Sequence, residues 1–103
     1  MDKSTVVERV KQYASVVVRE FPVSMVVLFG SYASDKFHTD SDIDVAVIVN
    51  ELTGDYLTLA ARLCTLRNDI DPMIEPHLMT TQGHDGGFLS EILRTGEVIY
   101  KAA

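Results

Sequence analysis

At 103 residues the chain has the length of one domain, and readings that need several domains fall away, so residues 1–103 are taken as a single unit. A hydrophobic fraction of 47% with 23% charged residues is ordinary globular composition, and a chain of this length buries about 65% of its unfolded surface. Fifteen acids against nine lysines and arginines leave a net charge of −6, which argues against gripping long nucleic acid through a basic face. The single cysteine, Cys64, has no intramolecular disulfide partner and sits in an apolar run, as a small buried thiol does. Charged residues at positions 2, 3, 8, 9 and 11 break any apolar stretch at the start, so neither a signal peptide nor a membrane span is expected, and the expected location is the cytoplasm.

Over residues 5–21, Val6, Val10, Tyr13, Ala14, Val17, Val18 and Phe21 recur at intervals of three and four, which predicts a helix with one apolar stripe. Thr5 and Glu8 have the spacing of a capping box, and Pro22 blocks continuation. Residues 25–29 form a short unbroken apolar run, suited to a strand buried on both faces, and it stops at Gly30. A small, polar stretch follows, and residues 42–49 then read as a second strand. Ile43, Val45, Val47 and Val49 share one of its faces, with Asp42, Asp44, Ala46 and Ile48 on the other.

Beyond Gly54 a helix is predicted to end near Asn68, with Leu57, Ala60, Ala61, Leu63, Cys64 and Leu66 on its apolar face and Arg62 and Arg67 outside it. Residues 70–79 carry Ile74, Leu78 and Met79 among two prolines, the pattern of an edge strand. Gly83, Gly86 and Gly87 mark a loop. Phe88, Leu89, Ile92 and Leu93 give a short last helix capped by Gly96, and residues 98–100 suit a last strand.

The chemistry concentrates at Asp42 and Asp44. Two aspartates at i and i+2 on a strand place their carboxylates on one face about 7 Å apart at the backbone, where they repel unless a divalent cation lies between them. The run from position 35 to 55 holds six acids and one lysine; a solvated acidic loop explains Asp35 and Asp40 but not a pair that opens an otherwise apolar strand. Asp40, Asp42, Asp44 and Glu51 also fall at positions 1, 3, 5 and 12 of a calcium loop. That match is formal, because the position that needs glycine is Val45. Gly30 and Ser31, directly after the first strand, allow close backbone approach and offer amides and a hydroxyl to phosphate oxygens. A phosphate cradle beside a metal pair is the layout of phosphoryl or nucleotidyl transfer.

The stretch Leu28-Phe29-Gly30-Ser31-Tyr32-Ala33, followed after a short gap by Asp42-Ile43-Asp44-Val45, resembles the signature of the minimal nucleotidyltransferase domains of the DNA polymerase beta superfamily. The leading helix, the helix after the second strand and the ending from Leu93 to Tyr100 are similar too, so the resemblance covers nearly the whole chain. It implies an α/β (α+β) fold, a small mixed β-sheet backed by helices. It also implies that Gly30 and Ser31 bind the triphosphate of ATP or another NTP, and that Asp42 and Asp44 bind two magnesium ions. A third carboxylate on a later strand completes such sites; Glu75 best matches that place, with Asp71 and Asp69 as runners-up, although aspartate is the commoner residue there. Ser34 stands where many relatives carry a basic residue, and Lys36, two positions on, is the expected substitute at the phosphates. His38 and His77 have no partner at zinc-like spacing and read as exposed polar residues.

The implied reaction is magnesium-dependent transfer of a nucleoside monophosphate, AMP in the first instance, to an acceptor hydroxyl, with Glu75 helping to deprotonate it. The resemblance further implies a partner protein of the HEPN type, toward which the chain acts as the antitoxin of a toxin–antitoxin pair. A second copy of the chain is also admitted as a partner. The competing reading is a binding module, catalytically weak or inactive, that neutralises its partner by contact.

Overall fold

A computed structural model describes residues 2–34, 36, 41–82 and 86–103. The elements run α1 (Lys3–Glu20), β1 (Val23–Phe29), β2 (Ile43–Val49), α2 (Tyr56–Arg67), β3 (Ile74–Thr80), α3 (Phe88–Thr95) and β4 (Glu97–Lys101). The strands form one mixed sheet in the order β3-β2-β1-β4. β1 pairs antiparallel with both β2 and β4, and β2 pairs parallel with β3. The parallel pair needs a crossover, and α2 supplies it. The mixed, helix-backed sheet is the architecture expected from the sequence.

The two central strands are covered on both faces along most of their length, which is why residues 25–29 and 45–49 run apolar without interruption. On one face Val26 and Leu28 of β1 and Ile43, Val45 and Val47 of β2 pack with Val6, Val10, Tyr13 and Val17 of α1 and with Leu63 of α2. On the other, Val27, Phe29, Ala46 and Ile48 meet Leu89 and Ile92 of α3. The buried Tyr13 hydroxyl donates to the Leu63 carbonyl at 2.7 Å, tying α1 to α2. Burial raises its pKa well above the ordinary tyrosine value. Among the described residues, no helix is long and apolar enough to cross a membrane.

Two local expectations are corrected. The cap of α1 is Asp2, whose carboxylate accepts from the Thr5 amide at 2.9 Å, so Thr5 lies inside the helix and the Thr5/Glu8 box does not form. In α2 only Leu63 of the expected apolar face is buried; Leu57 is 74% exposed and Ala61 is also exposed. The helix meets the core through Leu63 and the partly buried Leu59 and Leu66. It is held partly by polar bonds, since Arg62 grips Glu20 of α1 with Nε and Nη2, and Arg67 donates to the Ile74 carbonyl at 2.8 Å.

The calcium-loop reading fails on topology. Asp44 lies within β2 and Glu51 beyond that strand's far end; seven extended residues span roughly 20 Å, so the two cannot share an ion. Asp35, His38, Asp40 and Gly83 fall outside the described residues.

β3 is an edge strand as expected, and Pro76 is tolerated there. Gly96 ends α3 with its amide donating to the Ile92 carbonyl at 2.7 Å. A Cβ at Gly96 would stand 2.6 Å from both that carbonyl oxygen and Val27 Cγ1. Only glycine lets α3 turn so directly into β4.

Candidate active site

The candidate site forms at the end of the sheet where β1 leaves and β2 and β3 begin. Parallel pairing sets Asp44 of β2 level with Glu75 of β3, and Ala46 level with His77. Side chains at register partners and at i and i+2 share a face, so Asp44, Glu75 and His77 all project to the side that α3 covers farther along. One ligand atom from each of the three lies within 4.8 Å of those of the others. The geometry follows from the period of a strand and from the parallel register of β2 with β3.

Gly30 makes room for this cluster. It adopts φ 77°, a left-handed conformation, and a Cβ there would collide with Asp44 Oδ2. The glycine thus serves the carboxylate as well as the turn. That turn is closed by the Ser34 amide donating to the Gly30 carbonyl at 3.2 Å and the Lys36 amide donating to the Ser31 carbonyl at 3.0 Å. The Ser34 hydroxyl also donates to the Ser31 carbonyl, at 3.2 Å. Tyr32 anchors the turn by burying its side chain in the core, while Ser34 and Lys36 stay exposed.

Of the residues singled out in the sequence, Asp44 and Glu75 are brought together. Asp42 is exposed just ahead of β2 and does not belong to the close group. Of the runners-up for the third carboxylate, Asp71 is only 4% exposed and points into the protein. It accepts from Arg9 Nη1 and from the Met73 amide, both at 2.9 Å, and so ties α1 to the approach to β3. Asp69 is exposed and outside the group. The Ile43 amide donates to the Met73 carbonyl at 2.9 Å, which locks the start of β2 against the start of β3.

His77 is the residue that sequence reasoning missed. It is half-buried, its Nε2 lies 3.3 Å from Asp44 Oδ1, and its ring meets Phe29 edge-on with centroids 5.1 Å apart. The hydrogen bond to Asp44 raises its pKa above the ordinary histidine value, against burial and with help from Glu75. The signal was in the sequence. The alternation that pairs Asp42 with Asp44 also pairs Glu75 with His77, two residues apart on the next strand.

Two carboxylates and an imidazole converging at a sheet end can hold a divalent cation through oxygen and nitrogen donors. The donor set fits such an ion, and Gly30 gives the Asp44 carboxylate the room it needs to join it.

The sequence profile of the family described as polymerase beta, nucleotidyltransferase matches residues 11–103. Among solved structures, the chain is similar to a Sulfolobus solfataricus protein described as a nucleotidyltransferase, with a TM-score of 0.71 and 16% identity over 96% of this chain and 83% of that one. A toxin–antitoxin structure with AMP-PNP aligns at a TM-score of 0.61 and 23% identity, covering 89% of this chain and 73% of the other. A mutant of the toxin–antitoxin MntA-HpeT aligns at 0.55 and 18% identity, covering 99% and 75% respectively. At these identities the likeness is one of fold. Comparison with curated proteins gives no match.

Proposed function

The chain belongs to the polymerase beta nucleotidyltransferase family, and from that premise we propose that it moves a nucleoside monophosphate, AMP from ATP in the first instance, onto an acceptor hydroxyl. The observation that carries this reading is the convergence of Asp44 and Glu75 from neighbouring strands beside the Gly30 turn. Asp44 and Glu75 hold a divalent cation, magnesium in the ordinary case of the family, and Asp42 contributes from the exposed lip of the site. A bound cation would neutralise charge on the triphosphate and make the acceptor hydroxyl easier to deprotonate.

The protein's own groups account for the remaining steps. Gly30 and Ser31 bind the phosphates through backbone approach and the Ser31 hydroxyl, with Lys36 reaching from the far side of the turn. Glu75, exposed on the edge strand, meets the acceptor from solvent and takes the hydroxyl proton. The acceptor oxygen then bonds to the α-phosphorus, the bond from that phosphorus to the bridging oxygen breaks, and pyrophosphate leaves with the electron pair.

The acceptor is a protein in this reading, a HEPN-type toxin to which the chain serves as antitoxin, and the setting is the cytoplasm. Support comes from the toxin–antitoxin structures that share the fold. The test is transfer of label from α-labelled ATP, with magnesium, to a protein acceptor in extract of the source cell. Labelling that disappears in Asp44→Asn supports the enzyme; no labelling at any metal or nucleotide concentration supports the contact-only module.

A further inference from the structure

We propose that His77 is a nitrogen ligand of the ion held by Asp44 and Glu75, so that the site selects a first-row transition ion over magnesium. The inference rests on the reading that the two carboxylates hold a divalent cation, and it concerns which cation.

The geometry comes first. Two donors each about 2.1 Å from one ion lie about 3.0 Å apart when at right angles, and about 4.2 Å apart when opposite. His77 Nε2 and Asp44 Oδ1, at 3.3 Å, have the spacing of adjacent ligands, and all three donors fall within 4.8 Å of one another. Small side-chain rotations suffice to bring them onto a common ion.

The ring is also held in place. Phe29 packs against it at 5.1 Å with the planes 64° apart, and Phe88, the first residue of α3, packs edge-on against Phe29 at 5.8 Å. An imidazole fixed before the ion arrives loses little freedom on binding it. An exposed polar histidine would have no such wall.

Donor chemistry then decides the metal. Magnesium prefers an octahedron of oxygens and keeps several waters, whereas imidazole nitrogen suits cobalt and zinc and is accepted by manganese. A set of two carboxylates and one imidazole therefore favours transition ions, and removing the imidazole should reduce that preference sharply while leaving an oxygen site that still takes magnesium.

The experiment is metal binding to the purified protein at pH 8, by calorimetry with Mg2+, Mn2+ and Co2+, and by pulsed electron paramagnetic resonance with Mn2+ as the probe. The native chain should bind Co2+ on the order of tenfold or more tightly than Mg2+. Bound Mn2+ should show coupling to an imidazole nitrogen. His77→Ala and His77→Gln should lose that coupling and most of the preference, with Mg2+ affinity little changed; the glutamine variant keeps a hydrogen bond to Asp44 should the alanine variant fold poorly. Mn2+ binding that Asp44→Asn abolishes, but that shows no nitrogen coupling in the native chain, overturns the role of His77 and leaves the carboxylate site standing. Absence of binding by all three metals overturns the carboxylate site as well.

Discussion

Gly30 joins two requirements at one backbone position, the left-handed turn after β1 and the space that the Asp44 carboxylate occupies. Alanine in that conformation costs about 1–2 kcal/mol in backbone strain alone. Its Cβ would also displace Asp44 Oδ2. Gly30→Ala should therefore lower the melting temperature modestly and weaken divalent-metal binding as much as Asp44→Asn does, a pairing that calorimetry checks directly. Metal affinity unchanged in Gly30→Ala would separate the glycine from the carboxylate. Glu75 makes the complementary case, because it is exposed and its shape is kept in Glu75→Gln. That variant should abolish nucleotidyl transfer while ATP binding through Gly30 and Ser31 largely survives, the mark of an interaction made mainly in the transition state. Single-turnover transfer measured beside equilibrium ATP binding distinguishes this from a loss of substrate affinity.

The elements differ in how plainly their sequences announce them, and packing explains the differences. β1 and β2 were legible because burial on both faces leaves unbroken apolar runs, and α1 because one face alone is buried. α2 was legible as a helix but not in its packing. Leu57 looks like a core residue in sequence yet stays exposed, because the crossover brings Leu63 to the sheet and leaves the helix's first turn outside. The third carboxylate was uncertain for a related reason. Only parallel register with β2 sets Glu75 beside Asp44, and only the long-range pairing with Arg9 takes Asp71 out of contention. α3, though short, supports both the second core and the aromatic wall behind His77. Ile92 is buried against the sheet, so Ile92→Ala should cost about 2–5 kcal/mol, measured by urea unfolding. Gly96→Ala should cost about 1–3 kcal/mol by overpacking, since its Cβ meets backbone oxygens as well as Val27.

For the molecule as a whole, charge is the variable that links stability to the site. The chain carries a net charge of −6, and Asp44 and Glu75 concentrate two acids where β2 meets β3. Any ion that binds the native site and not the unfolded chain raises stability by mass action, about 2.7 kcal/mol when present at a hundred times its dissociation constant. General screening of an acidic surface also raises stability, but it follows ionic strength and is indifferent to which ion supplies it. The two effects separate when melting temperature is measured in millimolar magnesium or manganese and in sodium chloride of equal ionic strength. The divalent ions should raise the melting temperature clearly above the sodium control, and the excess should vanish in Asp44→Asn. Acid acts in the other direction. Asp2, capping α1, and Glu20, gripped by Arg62, have pKa values lowered by those bonds from ordinary values of 3.8 and 4.5. A folded-state pKa below the unfolded one gives stability that is present above the unfolded value and lost as pH falls through the folded value. The metal-free protein should therefore lose stability as pH drops below about 4.5, and Asp2→Asn with Glu20→Gln should flatten that slope without touching the divalent effect at neutral pH. A double variant that abolished the metal-dependent rise would show that the rise comes from the surface charge of α1 and not from the carboxylates beside Gly30.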